Sequence, residues 1–262
     1  MRTSAPGLPD AVAGLTAEPL WWRFDGGDVT ASTNDDCRAL AAGGVAEGAV
    51  VVALEQTAGR GRLGRTWHSP RGGVYLSVLL RPAVAAADAG PLPLVAGLGV
   101  AYGLETLGAS VELKWPNDVL ASRGKVAGIL LESAVAGGSL EWVVAGCGID
   151  VARPESGTAP GAAYLDEILG RPTSPDRVAA SVLDGIARAY SDFTARGFAP
   201  MLGEYERRSA LAGRAVTVAD AAGAEVASGT VAGVDASGSL VVETAAGVVS
   251  VLAGDVTLRI PD

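Results

Sequence analysis

The sequence predicts an α+β protein, a mixed β-sheet with helices followed by a small C-terminal β-barrel. Two observations carry this. Strand-length apolar runs alternate with helix-length runs up to about residue 211. From Arg214 onward, short β-rich runs recur between glycine turns. The expected division is a loose leader over 1–20, a mixed domain over 21–211 and a small barrel over 212–262.

The elements follow in order. Ser32-Thr33-Asn34-Asp35-Asp36 offers capping residues and first-turn acids, so a helix starts there and stops at Gly43-Gly44. Residues 49–54 and 74–80 are apolar and β-rich, as buried strands are. Residues 92–107 have helical length before Gly108. Residues 111–115 alternate as a strand, and 126–134 with 141–145 form a pair joined at Gly137-Gly138. A long amphipathic helix spans 176–196, and a second helix is expected over 200–211. Five short strands complete the chain.

Composition narrows the function. The 262 residues carry 20 Lys+Arg against 29 Asp+Glu, a formal charge of −9, which argues against a general nucleic-acid binder. With 49% hydrophobic and 19% charged residues the chain is globular. No apolar run approaches the ~20 residues of a membrane span, and the first residues lack a signal peptide's apolar core. Two cysteines cannot build a disulfide framework, and a single histidine excludes the usual zinc sites. A cytoplasmic protein with no membrane partner is expected.

Only two of the 20 basic residues are lysines, Lys114 and Lys125, and they stand twelve positions apart, counting both. Lysine is a compact point donor that arginine does not replace. Two sequence blocks surround these observations. The first is Glu55-Gln56-Thr57-Ala58-Gly59-Arg60-Gly61-Arg62-Leu63-Gly64-Arg65-Thr66-Trp67. Its glycines match a dinucleotide fingerprint and a P-loop on paper, but both need a helix immediately afterwards. Here His68-Ser69-Pro70-Arg71-Gly72-Gly73 and a strand follow. No acid occurs from Gln56 to Ala87, while Arg60, Arg62, Arg65, Arg71 and Arg81 do. Arginines with glycines between them suit an anionic ligand gripped by guanidinium and backbone amides. The second block is Lys114-Trp115-Pro116-Asn117-Asp118, followed by Lys125-Val126-Ala127-Gly128-Ile129-Leu130. Asn117-Asp118 is expected at a strand end, where an Asx turn would also fit. Gly128 reads as a place where something packs on the backbone.

With Ser32-Thr33-Asn34, these blocks resemble, in order and spacing, the bacterial biotin protein ligases. The resemblance implies a biotin/lipoate ligase catalytic domain, related to class II aminoacyl-tRNA synthetases, with an SH3-like C-terminal barrel. It implies that biotin reacts with ATP to give biotinyl-5′-AMP, and that a lysine of a biotin carboxyl carrier domain then displaces AMP. By this resemblance Ser32, Thr33, Asn34 and Gln56 bind the ureido head, with Arg60, Gly61, Arg62, Lys125 and Gly128 also around biotin. Arg60, Arg62, Arg65, Trp67, Lys114, Asn117, Asp118, Lys125 and Asp150 fall to ATP and the adenylate. Lys125, Arg62 and Asp118 are the implied catalytic residues, with Mg²⁺ held by the ATP phosphates near Asp118. Family members carry Gly-Ile-Gly-Ile-Asn-Val where this chain has Gly146-Cys147-Gly148-Ile149-Asp150-Val151, so Asp150 puts a negative charge near the phosphates. Ala163-Tyr164-Leu165 replaces the usual Thr-Ser-Leu. Ser32 comes early in the chain, so no DNA-binding winged helix is expected. Family members vary, and a monomer or weak homodimer is expected. The alternatives are a non-enzymatic biotin or nucleotide sensor and, disfavoured by the Gly-Arg-Gly-Arg loop, a lipoate-type ligase.

Overall fold

The structure is a computed structural model describing residues 23–121, 124–220, 222–252 and 256–259. The leader expected over 1–20 lies outside them. A seven-stranded sheet has the order β1-β3-β5-β9-β8-β7-β6. Its strands are β1 (Arg23–Gly26), β3 (Ala49–Ala53), β5 (Gly73–Leu80), β6 (Glu112–Lys114), β7 (Asp118–Ala121), β8 (Gly124–Ala136) and β9 (Ser139–Asp150). β1 is parallel to β3 and the other pairs are antiparallel. Two short strands, β2 (Val29–Thr30) and β4 (Glu55–Gln56), pair separately. The helices are α1 (Thr33–Ala42), α2 (Leu92–Thr106), α3 (Leu165–Leu169), α4 (Pro175–Arg196) and α5 (Leu202–Glu206). None of the described helices is long and apolar enough to cross a membrane.

Alternation along the strands assigns the two faces. Val50, Val52, Leu76 and Val78 join the main core with α2 and α4. Val51, Leu79 and Val144 join a smaller cluster with Cys37 and Ala41 of α1. α1 covers only part of that second face, and the functional cleft occupies what remains. Ser174 caps α4 by accepting the Arg177 amide at 3.2 Å, and Pro175 opens the helix where its missing N–H costs nothing.

Three expectations need correction. β8 and β9 extend well beyond 126–134 and 141–145, so the Gly146–Asp150 run is strand. The chain resumes as a strand immediately at Asp118. The helix expected over 200–211 is a 3₁₀ turn at Ala199–Met201 and then only Leu202–Glu206. Its remainder is drawn to the sheet edge, where Leu113 donates to the Arg208 carbonyl at 2.6 Å and accepts from the Ala210 amide at 2.9 Å. Those edge hydrogen bonds replace further helical ones.

The C-terminal strands are β10 (Ala215–Asp220), β11 (Glu225–Val234), β12 (Leu240–Thr244), β13 (Gly247–Val251) and β14 (Val256–Arg259). They form an antiparallel sheet in the order β13-β12-β11-β10-β14. Trp115, 2% exposed, donates its indole N–H to the Gly238 carbonyl at 3.0 Å and so ties this sheet to the second sequence block.

Candidate functional site

Residues directly opposed in an antiparallel sheet share a face. Asp118, Gly128, Gly148 and Tyr75 form one such row across β7, β8, β9 and β5. Leu130, Gly146 and Ser77 form a neighbouring row. Over these rows lies a cleft of about 1060 Å³. The start of α1 contributes Ser32, Thr33 and Asn34, and β4 contributes Gln56. The glycine-arginine loop adds Arg60, Gly61, Arg62, Arg65 and Trp67, and the far wall has Lys114, Asn117, Asp118, Lys125 and Gly128. Of the binding and catalytic residues implied by the resemblance, Asp150 alone is absent from this lining.

Lys125 reaches the cleft because of a β-bulge. The register shifts between Val119 and Leu120, so that Leu120 opposes Lys125 while Val119 opposes Ala127. The extra residue, Val126, is fully buried in the helix-side core, and Lys125 returns to the Asp118 face. Its Nζ lies 2.5 Å from Asp118 Oδ1 and 4.8 Å from the Trp67 ring centroid. Its backbone is held by the segment replacing the Thr-Ser-Leu element. The Lys125 amide donates to the Gly161 carbonyl at 2.8 Å, and the Ala163 amide donates to the Lys125 carbonyl at 2.9 Å. Lys114, opposite Asp118, makes no ion pair among the described residues.

Trp67 lies against the glycine row. A Cβ at Gly128 would stand 2.8 Å from its ring, and one at Gly148 would stand 2.6 Å from Cε2. A Cβ at Gly146 would likewise strike the Asn34 amide. The packing expected at Gly128 is therefore Trp67, with the Lys125 side chain at 3.0 Å or less. The indole N–H of Trp67 is buried without a hydrogen bond.

The neutral residues are largely bonded to one another. Gln56 Oε1 accepts the Thr33 amide at 2.9 Å and the Thr33 hydroxyl at 3.1 Å. Asn34 donates to the Leu130 carbonyl and to Glu132, at 3.3 and 2.7 Å. It accepts from Ser77 Oγ at 2.7 Å. Sequence reasoning missed Ser77, a polar residue in an apolar strand whose only signal was that break in the pattern. Ser32 is 2% exposed, and its hydroxyl does not cap α1.

The arginines divide. Arg60 donates to Asp35 at 2.7 Å and to Glu132 at 3.0 Å, so its charge is matched by α1 and β8. Arg62 donates to Asn117 Oδ1 at 3.3 Å, bridging the two sequence blocks. Arg71 pairs with Glu55 and Asp28 away from the cleft. Arg81 binds the carbonyls of Ala41, Val45 and Glu141 and is structural. The acid-free run therefore overstated the number of ligand-facing cations, because acids from distant elements complete it.

Asp150 belongs to an adjoining cavity of about 810 Å³, with His68, Tyr75 and Tyr164. Thr66, Trp67 and Lys125 line both spaces and mark their junction. Burial pushes the Asp150 carboxyl up to about 7, with Lys125 pulling the other way. Burial thus favours the neutral carboxyl and weakens the charge expected near the phosphates. Cys147 also lines the cleft, and burial pushes its thiol up to about 12, so it is no thiolate nucleophile. Among the described residues no group of three His, Cys, Asp or Glu could hold a metal ion.

Comparison with known proteins places this geometry. The biotin/lipoate A/B protein ligase family model matches residues 26–150, and the biotin protein ligase C terminal domain model matches 212–259. The chain is 37% identical over 226 residues to the biotin–[acetyl-CoA-carboxylase] ligase of Paracoccus denitrificans, covering 83% of this chain and 93% of that protein. It is 36% identical over 244 residues to the ligase of that name from Mycobacterium tuberculosis, covering 90% and 89%. A biotin protein ligase from Aquifex aeolicus, solved in complex with biotin and ATP, matches with a TM-score of 0.78. That match has 31% identity and covers 92% of this chain and all of the other. The chain belongs to the biotin protein ligase family.

Proposed function

We propose that the protein is an ATP-dependent biotin–[acetyl-CoA-carboxylase] ligase. The observation that carries the reading is Lys125, a cation at the junction of two cavities of different chemistry. One is walled by the neutral polar residues Ser32, Thr33, Asn34 and Gln56, which suit an uncharged ureido group. The other has aromatic walls and suits the nucleoside. In the first step a biotin carboxylate oxygen attacks the α-phosphorus of ATP, and pyrophosphate leaves with the electron pair of the broken P–O bond. In the second step an acceptor lysine amine attacks the mixed anhydride, AMP departs and the amine loses a proton.

The first step brings two anions together, so it needs fixed positive charge at their meeting point. Lys125 supplies it, steadied by Asp118 and by the bonds to Gly161 and Ala163. Arg62, held toward Asn117, supplies a second cation at the same wall. Arg65, which is exposed, and Lys114, which is half-buried, line the same cleft and suit the departing pyrophosphate. Arg60, its guanidinium occupied, orders the loop. Trp67 forms the partition against which the nucleoside packs. Asp118 is the one carboxylate among the described cleft-lining residues. Mg²⁺, which normally binds through one or two carboxylates and substrate phosphates, fits there with ATP and would offset phosphate charge. The acceptor is a carrier domain of a biotin-dependent carboxylase, met by a protein that is a monomer or weak homodimer.

The test is exchange of radiolabelled pyrophosphate into ATP. Biotin-dependent exchange is expected, followed by label transfer to a carrier domain. Folded protein that binds biotin without exchange would be a sensor and would overturn the reading. Exchange driven by lipoate in place of biotin would also overturn it.

A further inference from the structure

Glu132 stands outside the cleft lining, yet it meets three side chains that matter to the site. It accepts Arg60 Nη2 at 3.0 Å, Asn34 Nδ2 at 2.7 Å and Arg38 Nη1 at 3.2 Å. Asp35 takes the other Arg60 nitrogen, Nη1, at 2.7 Å and also pairs with Arg38. Two arginines and two carboxylates thus form one neutral group joining the loop, α1 and β8. The loop's own backbone bonds are few. The Thr57 and Ala58 amides bind the Thr30 and Ala31 carbonyls at its start. Beyond them the Gly61 amide binds the Arg65 carbonyl, the Arg65 amide the Arg62 carbonyl and the Trp67 amide the Gly59 carbonyl, while Leu63, Gly64, Arg65 and Thr66 are exposed. Leu63 also holds a φ of 56°, an unfavourable angle for a branched residue that neighbouring contacts must sustain.

We infer that Glu132 is a positioning residue: with Asp35 it latches Arg60, closes the glycine-arginine loop over the wall that holds Asn34, and thereby sets how long the adenylate stays bound. The adenylate part rests on the function proposed above. The mechanism is geometric. Asn34 and Arg60 share one Glu132 oxygen, Oε2, so the loop and the head-group wall keep a common reference point. The ion pairs are only partly buried, with side chains 24% to 37% exposed, so salt screens them. A latch of this kind makes loop opening, and with it loss of the adenylate to bulk lysines, dependent on ionic strength.

The experiment compares wild type, Glu132→Gln and Asp35→Asn. Glutamine keeps an acceptor for Asn34 and removes the charge facing Arg60. Hydrogen exchange of the 57–66 backbone is measured without ligand, at low and high salt. Release of biotinyl-5′-AMP is measured by Trp fluorescence under the same conditions. Glu132→Gln is expected to raise both rates about three- to tenfold at low salt, and Asp35→Asn to move both the same way. Wild type should approach the variants at high salt, while the variants change little. Unchanged exchange and release in folded variants would overturn the latch, as would an equal salt response in all three proteins. If wild type makes no adenylate, the functional reading fails, and ligand-free loop exchange still decides the latch.

Discussion

At the residue scale, the sequence identified which side chains assemble but not which of them bind one another. Fourteen of the residues singled out from motif blocks line one cleft, because β9 inserts between β5 and β8 and the later motifs fold back across the sheet toward the earlier ones. Asn34, Gln56 and Arg60 were expected to face ligand, yet their polar atoms mostly face protein. Nothing in a linear pattern shows that Glu132 and Asp35, remote in sequence, reach Arg60. Asp150 is the residue whose chemistry changed most. Its carboxyl rises from 3.8 to about 7 on folding, chiefly through burial. The folded protein then binds more protons than the unfolded chain between those values, so stability falls as pH rises through that window and levels off above it. Asp150→Asn removes this loss. Relative to wild type it should gain up to a few kcal/mol between pH 4 and pH 8, accumulating at about 1.4 kcal/mol for each pH step of one within the window. Urea midpoints of both proteins at pH 4.5 and pH 8 check this, and parallel profiles would contradict it.

At the element scale, the strands and long helices were legible because burial imposes regular periods. The β-bulge at Lys125 was not, since a one-residue register shift leaves no compositional trace. The shortened α5 was missed for a related reason, as hydrogen bonds to the distant edge residue Leu113 end it. The glycines on β8 and β9 have one common explanation. Gly128, Gly146 and Gly148 keep the sheet surface bare so that Trp67 and Asn34 can lie on it. Gly148→Ala tests this directly, because its Cβ would strike the Trp67 indole nitrogen and lie 2.6 Å from Cε2. The indole must move, and the KM for ATP should rise about tenfold or more, while overpacking costs about 1–3 kcal/mol of stability. Steady-state kinetics with saturating biotin measure the effect, and an unchanged KM would mean that Trp67 does not position the nucleotide.

At the scale of the whole molecule, the C-terminal sheet was legible as a β-rich tail, but its attachment to the site was not. The Trp115 indole N–H reaches Gly238 across 123 positions of sequence, and Trp115 is part of the block containing Lys114 and Asp118. Trp115→Phe keeps an aromatic filler and leaves the buried carbonyl unpaired. A loss of about 1–2 kcal/mol is expected by chemical denaturation, and no loss would show that the contact contributes nothing. The architecture as a whole brings two cavities to Lys125, one of only two lysines in a chain with 18 arginines. Single-turnover formation of biotinyl-5′-AMP by wild type, Lys125→Ala and Lys125→Arg tests that claim most directly. Removing a preorganised transition-state donor costs about 10²- to 10³-fold in rate, and both variants are expected to lose that much, because the wider guanidinium cannot occupy the ammonium's place beside Asp118 and Trp67. Adenylate formation by Lys125→Arg at the wild-type rate would contradict the account.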